Sequence, residues 1–256
     1  MEEGQDVYKA RGYRSQALLL LYKGKLSEAI EQLHKSTLIY KTLGNGLSQL
    51  RNVLLMSSAY KTKGMMKEYH MELTRACEIL DNDEDGFSPW WLFVLGKLYI
   101  RGGDIEKAEE LLHLIPTKIN EGNREDEAAF KLLEGEIGMV KGNQANALEM
   151  FESGINLINN PFTIESLANY YSNSSDLDMA ISKYQEIINF NDALGWEAQE
   201  YWVQSFYNLG KLYEEKGDIE LAKDYYEKFL NIWQDADEGI PILIDCQNRL
   251  ERLKVI

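Results

Sequence analysis

Apolar and polar positions repeat along the chain with a period close to 40 residues. The run Leu-Gly-Lys-Leu-Tyr occurs at 95–99 and again at 209–213, and each copy is followed four residues later by Gly-Asp-Ile-Glu. Aligning the chain on the glycine of this second motif gives six units, spaced by 40, 39, 39, 33 and 42 residues. The residues at this turn position are Gly24, Gly64, Gly103, Gly142, Ser175 and Gly217. Repeats of this length are typical of stacked helical pairs, in which each unit needs its neighbours to bury its apolar face.

A small residue stands seven positions before the turn in every unit, and alanine stands five positions after the turn in five of the six. The first set is Ala17, Ser57, Gly96, Gly135, Ala168 and Gly210. Small residues on facing helices let the helix axes approach within about 8–10 Å, so each unit is predicted to be an antiparallel helical hairpin. Only four prolines are present, and the predicted fold class is all-α.

The turns and the helix starts carry further signals. Glycine can take the left-handed conformation that ends a helix, so Ser175 is expected to form the weakest turn because it has a β-carbon. Residues that directly follow four of the turns are predicted to cap the second helix of their unit. These are Asp104, Asn143, Asp176 and Asp218.

Six repeats are assigned to residues 1–239 and a final helix to residues 240–256. Pro241 is suited to the first position of that helix. An apolar stripe at helical spacing follows, formed by Ile240, Leu243, Cys246, Leu250 and Leu253. Such a helix would cover the last hydrophobic face of an open stack of repeats, which we expect to form one continuous domain.

This pattern resembles the tetratricopeptide repeat (TPR), with a small residue and tyrosine on the first helix, Gly-Asp at the turn, and alanine then Tyr or Phe on the second. The resemblance covers nearly the whole chain and is strongest at 206–229 and 92–115. It implies a right-handed superhelix whose concave groove binds a protein or peptide without catalysis. Residues 230–250 also resemble tails of bacterial repeat regions attached to kinase, cyclase or DNA-binding domains. The alternative function is therefore a sensor module of a larger signalling protein, which binds a signalling peptide or small molecule.

The resemblance also implies which side chains line the groove. The candidate partner-binding residues are Arg14, Phe93, Lys97, Glu136, Asn169, Tyr207, Asn208 and Lys211. Chaperone-binding members clamp a terminal carboxylate with Lys and Asn, but Glu165 stands where a clamp lysine would be, so an acidic chain end is not the expected ligand. Peptide-pheromone sensors hold a ligand backbone with groove asparagines, a role that Asn169, Asn208 and Lys211 would fit. An alternative interpretation is that Phe93, with Leu54 and Leu132, touches neighbouring helices instead of a ligand.

The charge distribution narrows the class of partner. A net charge of −15 argues against nucleic acid, whose phosphates favour basic surfaces. Residues 1–80 carry 12 Lys/Arg and 8 Asp/Glu, a balance of +4, whereas residues 81–256 carry 15 and 34, a balance of −19. A solvated acidic face is the simpler interpretation, and weak head-to-tail self-association is a further hypothesis. The chain has no basic leader and no apolar run long enough to span a bilayer, so we expect a soluble cytoplasmic protein with no membrane partner.

No motif predicts catalysis, a metal or another cofactor. The acidic run 81–86 resembles the start of a calcium loop, but Leu92 occupies the twelfth position, where Glu is required. Ser88 and Pro89 instead suggest a helix cap and a first helical residue. The histidines and cysteines lack the spacing of a zinc site or of a disulfide framework; they are His34, His70, His113, Cys77 and Cys246.

Four tryptophans lie outside the positions that close the hairpins. They are Trp90, Trp91, Trp196 and Trp202. Tryptophan at such places either anchors a ligand or bridges adjacent repeats, and the bridging role is the favoured interpretation.

Overall fold

The computed structural model describes residues 2–82, 87–190 and 199–254, and within these ranges the chain is helical and contains no strand. The first helices of the six pairs are α1 (Glu2–Tyr22), α3 (Gly46–Thr62), α5 (Pro89–Arg101), α7 (Arg124–Val140), α9 (Pro161–Asn173) and α11 (Gln199–Lys216). The second helices are α2 (Leu26–Thr42), α4 (Met66–Asp81), α6 (Ile105–Leu114), α8 (Gln144–Leu157), α10 (Leu177–Ile188) and α12 (Ile219–Ile232). A 3-10 turn, Ile115–Thr117, follows α6, and α13 (Pro241–Leu253) follows α12. The predicted all-α class is confirmed.

Each turn residue lies between the two helices of a pair and has a positive φ, from 60° at Ser175 to 88° at Gly103. Asp104, Asp176 and Asp218 accept hydrogen bonds from the backbone N–H three residues further on, at 3.1 Å, 3.2 Å and 3.3 Å. These carboxylates therefore cap their helices as predicted.

Two of the predicted caps are wrong. The side chain of Asn143 makes no capping hydrogen bond at the start of α8. Ser88 makes none at the start of α5, although Pro89 does begin that helix. Sequence identifies residue types that can cap a helix, but the hydrogen bond also depends on a side-chain rotamer that tertiary packing selects.

Replacing Ser175 by glycine is expected to stabilise the protein. The left-handed conformation of Ser175, with φ of 60°, costs a residue with a β-carbon about 1–2 kcal/mol. Glycine has more freedom in the unfolded chain, so we expect a net gain of about 0.5–1 kcal/mol in the free energy of unfolding, measured by urea denaturation. Ser174→Gly is the matched control, because Ser174 has φ of −86° and its hydroxyl donates to the carbonyl of Tyr170. Equal effects of the two changes would contradict the explanation.

The described helices form two compact units. Unit 1 comprises residues 1–84 and 192–256, with α1–α4 and α11–α13, and unit 2 comprises residues 85–191, with α5–α10. The first and last helix pairs of the chain thus belong to one unit, and α1 contacts α11 directly. The Trp202 ring stacks on Tyr22 with ring centroids 5.8 Å apart. Trp202 therefore bridges helices that are distant in sequence, whereas Trp196 lies outside the described residues.

The small residues do mark close helix contacts. A β-carbon at Gly210 would lie 2.4 Å from Cε1 of Tyr226 in α12, and one at Gly135 would lie 2.8 Å from the Phe151 ring in α8. Both contacts are within a helix pair, as expected. A β-carbon at Gly96 would instead lie 2.7 Å from Leu133 of α7, which belongs to the following pair. The small residue at this repeated position therefore allows close contacts between helix pairs as well as within them.

The final helix packs against α12 through part of its predicted apolar stripe. Cys246, Leu250 and Leu253 are buried there. Burial raises the pKa of the Cys246 thiol to about 12, so this cysteine is a protonated core residue at neutral pH.

Candidate binding surface

Several candidate groove residues belong to a buried polar cluster in unit 2, on α5, α7 and α9. The Lys97 ammonium lies 3.2 Å from Glu136 and 2.7 Å from Glu165. It also donates hydrogen bonds to the Ser166 hydroxyl at 2.7 Å and to the Phe162 carbonyl at 3.1 Å. Only 1% of the Lys97 side chain is exposed. Lys97 therefore joins the first helices of three successive repeats.

Arg101 and Asn169 complete this cluster through Glu165. Both donate to its Oε1 atom at 2.6 Å, and the Asn169 carbonyl oxygen accepts a hydrogen bond from the Tyr184 hydroxyl at 2.5 Å. Burial by itself would raise the Glu165 pKa, but the charges of Arg101 and Lys97 outweigh burial and hold the pKa at about 2. Glu165 is thus ionised at neutral pH; its Oε1 atom accepts from Arg101 and Asn169, and its Oε2 atom lies 2.7 Å from the Lys97 ammonium.

The aromatic groove candidate of unit 2 is also part of the interior. Phe93 is fully buried, and its ring contacts Trp90 and Phe162 edge to face, each at 5.4 Å between centroids. Leu54 in unit 1 and Leu132 in unit 2 are buried as well. Phe93 touches Phe162 of α9, and Leu132 lies against Gly154 of α8, which agrees with the alternative interpretation of these two positions. Trp90 also bridges α5 and α9, since its ring lies 6.0 Å from that of Phe162.

In unit 1, Tyr207 connects α11 to α13. Its hydroxyl donates to Asp245 at 2.6 Å, and Arg249 contacts the same carboxylate at 2.5 Å and Glu214 at 3.0 Å. The Tyr226 hydroxyl donates to Glu214 at 2.6 Å. Burial is the largest cause of the raised pKa of Tyr207, and the hydrogen bond to Asp245 raises it further. The polar end of Tyr207 is therefore used to hold the final helix.

Asn208 and Lys211 lie on a part of α11 that is more open. Lys211 is exposed, and its amine lies 5.6 Å from the centre of the Tyr207 ring. Asn208 is half-buried, and its side chain makes no hydrogen bond within the described part of the chain. With Gln204 and Glu215 these residues follow one another at helical spacing, and we call the four the α11 stripe. The remaining candidate, Arg14, is buried in α1 with 9% exposure.

Seven members of these polar networks were not among the site residues predicted from the sequence: Arg101, Ser166, Tyr184, Glu214, Tyr226, Asp245 and Arg249. One signal was present in the pattern. Lys97 and Glu136 stand at equivalent positions of successive repeats, each directly after the small residue, and carry opposite charges. Equivalent positions on adjacent first helices are close in a stack of repeats, so this pair could have been predicted to form an ion pair.

Across 2–82, 87–190 and 199–254, no group of three or more His, Cys, Asp or Glu side chains could hold a metal ion. The calcium-loop alternative falls mainly on residues 83–86, which lie outside these ranges. None of the described helices combines the length and the hydropathy needed to cross a membrane.

Comparison with known proteins identifies one repeat by sequence. Residues 203–232 match the family model of the tetratricopeptide repeat. The matched segment contains most of α11 and all of α12, and it includes Asn208 and Lys211. No match was found among curated proteins.

Solved structures with a similar arrangement of helices were also found. BtubC (BKLC) from P. vanneervenii is 16% identical, with a TM-score of 0.48 over 81% of this chain and 87% of that chain. The APC/C heterotetramer Cut9–Hcn1 is 16% identical, with a TM-score of 0.49 over 96% of this chain and 42% of that chain. PilF of Pseudomonas aeruginosa is 15% identical, with a TM-score of 0.45 over 92% and 98%. These TM-scores are all below 0.5, so the assignment of the repeat rests on the match at 203–232 and on the helix pairs themselves.

Proposed function

Because its sixth helix pair is a tetratricopeptide repeat, we propose that this chain is a non-catalytic scaffold that binds a protein or peptide partner. The observation that carries the proposal is the α11 stripe. Asn208 and Lys211 are predicted groove residues that fall within the matched repeat. In the described part of the chain neither takes part in an ion pair or a side-chain hydrogen bond, although the Lys211 charge helps to lower the pKa of Asp245. The polar groove candidates of unit 2, Lys97, Glu136 and Asn169, are already bound within a buried cluster of that unit. We therefore place partner binding in unit 1, on α11.

The chemistry of the stripe favours an extended segment as ligand. A carboxamide such as that of Asn208 can donate to and accept from a peptide backbone at the same time. The ammonium of Lys211, nearly one helical turn further along, can pair with an acidic side chain or donate a hydrogen bond to a carbonyl oxygen. We expect the partner to present an extended peptide with an acidic side chain to this surface.

Partner binding can be tested by affinity capture from a cell lysate with the full chain and an Asn208→Ala, Lys211→Glu variant. We expect the intact chain to retain a specific protein that the variant captures about tenfold less well, since one lost charge-assisted contact has an effect of that order. Equal melting temperatures of the two chains would show that folding is unchanged.

The matched control is Lys228→Glu on α12. Lys228 is exposed; its ammonium pairs with Asp224 of the same helix at 2.6 Å and lies 4.8 Å from the centre of the Tyr225 ring. Its reversal changes the net charge equally and has little structural cost. Loss of the captured protein from this control as well would show a general charge effect. Retention of the protein by all three chains would remove the α11 stripe from the binding surface.

A further inference from the structure

A short segment after α12 contacts the first helix pair of unit 1. We call residues 233–237 the latch segment. The Trp233 indole N–H donates to the carbonyl of Tyr22 at 3.2 Å, and the Asp237 backbone N–H donates to the carbonyl of Gly24 at 3.0 Å. Trp233 is almost fully buried, with 2% exposure. The latch segment is thus bound, through its backbone and the Trp233 side chain, to residues that lie about 210 positions earlier in the sequence.

The Asp237 carboxylate is the centre of this contact. Its Oδ2 atom accepts from the Ser27 backbone N–H at 2.8 Å, from the Ser27 hydroxyl at 2.6 Å and from the Lys63 ammonium at 2.7 Å. Lys63 and Asp237 expose only 19% and 18% of their side chains. Burial raises the pKa of Asp237, but the hydrogen bonds from Lys63 and Ser27 outweigh it and lower the pKa overall. The carboxylate is thus bound in its ionised form.

The start of α2 lacks the local carboxylate cap that three of the other second helices have, and the starts of α4 and α8 also lack a side-chain cap. Asp104, Asp176 and Asp218 directly follow their turns and cap their own helices. The equivalent residue of the first pair is Lys25, which makes no capping hydrogen bond. Asp237 supplies the missing carboxylate to the first turn of α2, where unpaired N–H groups and the helix dipole favour an anion.

The turn of the first pair is also shaped for the latch segment. A β-carbon at Gly24 would lie 2.6 Å from Cβ of Ala236 and 2.9 Å from the Trp233 ring. Gly24 has φ of 72°, so glycine is suited both to the turn and to this close approach. Of the six turn residues, a β-carbon at Gly103, Gly142 or Gly217 would have no atom within 4 Å.

We propose that Tyr22, Gly24, Ser27 and Lys63 form a binding site specific for a Trp-x-x-Ala-Asp segment, and that the latch segment of the same chain occupies it. The site recognises the indole through a backbone carbonyl, the small residue through the glycine turn, and the carboxylate through Ser27 and Lys63. It closes unit 1 by joining its first and last helix pairs. If a second copy of the chain supplied the latch segment, the same contacts would form between the two chains.

The test is binding of a fluorescent peptide with the sequence of residues 230–240, measured by anisotropy. The receptor is the full chain carrying Trp233→Ala and Asp237→Ala, which vacates the site, and the intact chain is the control. We expect the peptide to bind the vacated chain about tenfold or more tightly than the intact chain, and a peptide with Asn in place of Asp237 to bind about tenfold more weakly. Equal binding of both chains, equal binding of both peptides, or no binding to a folded vacated chain would overturn the proposal.

A double-mutant cycle decides the matter if the vacated chain does not fold. Lys63→Met, Asp237→Asn and the double variant are compared with the intact chain by urea denaturation. Because both side chains act through one contact, the double variant should be no less stable than the less stable single variant. Additive losses would show that Lys63 and Asp237 act independently and would overturn the site.

Discussion

Replacing Lys97 by alanine is expected to lower the free energy of unfolding by about 3–5 kcal/mol, the usual result of removing one partner of a buried ion pair. The change would leave the Glu136 and Glu165 carboxylates buried without the ammonium that lies 3.2 Å and 2.7 Å from them. Lys107→Ala is the surface control, because Lys107 pairs with Glu110 on the exposed side of α6 and should contribute less than about 1 kcal/mol. Urea denaturation of both variants measures the difference.

The stability lost in Lys97→Ala should depend on pH because it depends on the ionisation of Glu165. Its pKa is lowered from 4.5 to about 2 by its environment, so its ionised form stabilises the folded state above pH 4.5, and this stabilisation is lost as the pH falls towards 2. The stability difference between the intact chain and Lys97→Ala should therefore narrow over that interval. A double variant with Lys97→Met and Glu136→Gln should recover part of the loss, because fewer unpaired charges remain buried. If Lys97→Ala lowered the free energy of unfolding equally at pH 7 and pH 3, the explanation by the charge on Glu165 would be contradicted.

Adding one methyl group at Gly210 is expected to cost about 2 kcal/mol, within the range measured for overpacked cores. A β-carbon there would lie 2.4 Å and 2.5 Å from two Tyr226 ring atoms. Tyr226 is fully buried and its hydroxyl is bound to Glu214, so the ring has little room to move. The measurement is the urea midpoint of Gly210→Ala against that of the intact chain.

Gly12→Ala is the control for the methyl group itself. Gly12 lies within α1, and a β-carbon there would have no atom within 4 Å. Since alanine has a higher helix propensity than glycine, this change should stabilise the protein by up to about 1 kcal/mol. If both alanine variants gained stability, the close approach of α11 and α12 at Gly210 would be contradicted.

Much of the local structure could be predicted because it depends on neighbours in sequence. The period of the turn residues placed the helix pairs, since a left-handed turn and a small contact residue are required in each of them. Asp104, Asp176 and Asp218 could be predicted as caps because cap and helix are adjacent in the chain. Asn143 shows the limit of this inference, since a suitable residue type does not ensure the hydrogen bond.

The candidate site was less predictable because it depends on how separate repeats meet. The family pattern indicates which side chains point away from their own hairpin, but not whether a ligand or another helix lies opposite. Lys97 and Glu136 therefore appeared as groove residues, although they pair with each other in the interior of unit 2. The bond between Asp237 and Ser27 spans 210 residues, and no periodic signal connects these positions.

The most direct test of the proposed scaffold function is photo-crosslinking from the α11 stripe. A photoreactive amino acid replaces exposed Glu215, which leaves Asn208 and Lys211 intact on the same side of the helix. The control places it at Leu38 on α2, which is 64% exposed. We predict a discrete protein adduct from position 215 that is absent from position 38 and disappears when Lys211→Glu is added. An adduct that forms from position 38 and not from 215, or one that persists with Lys211→Glu, would contradict binding through the α11 stripe.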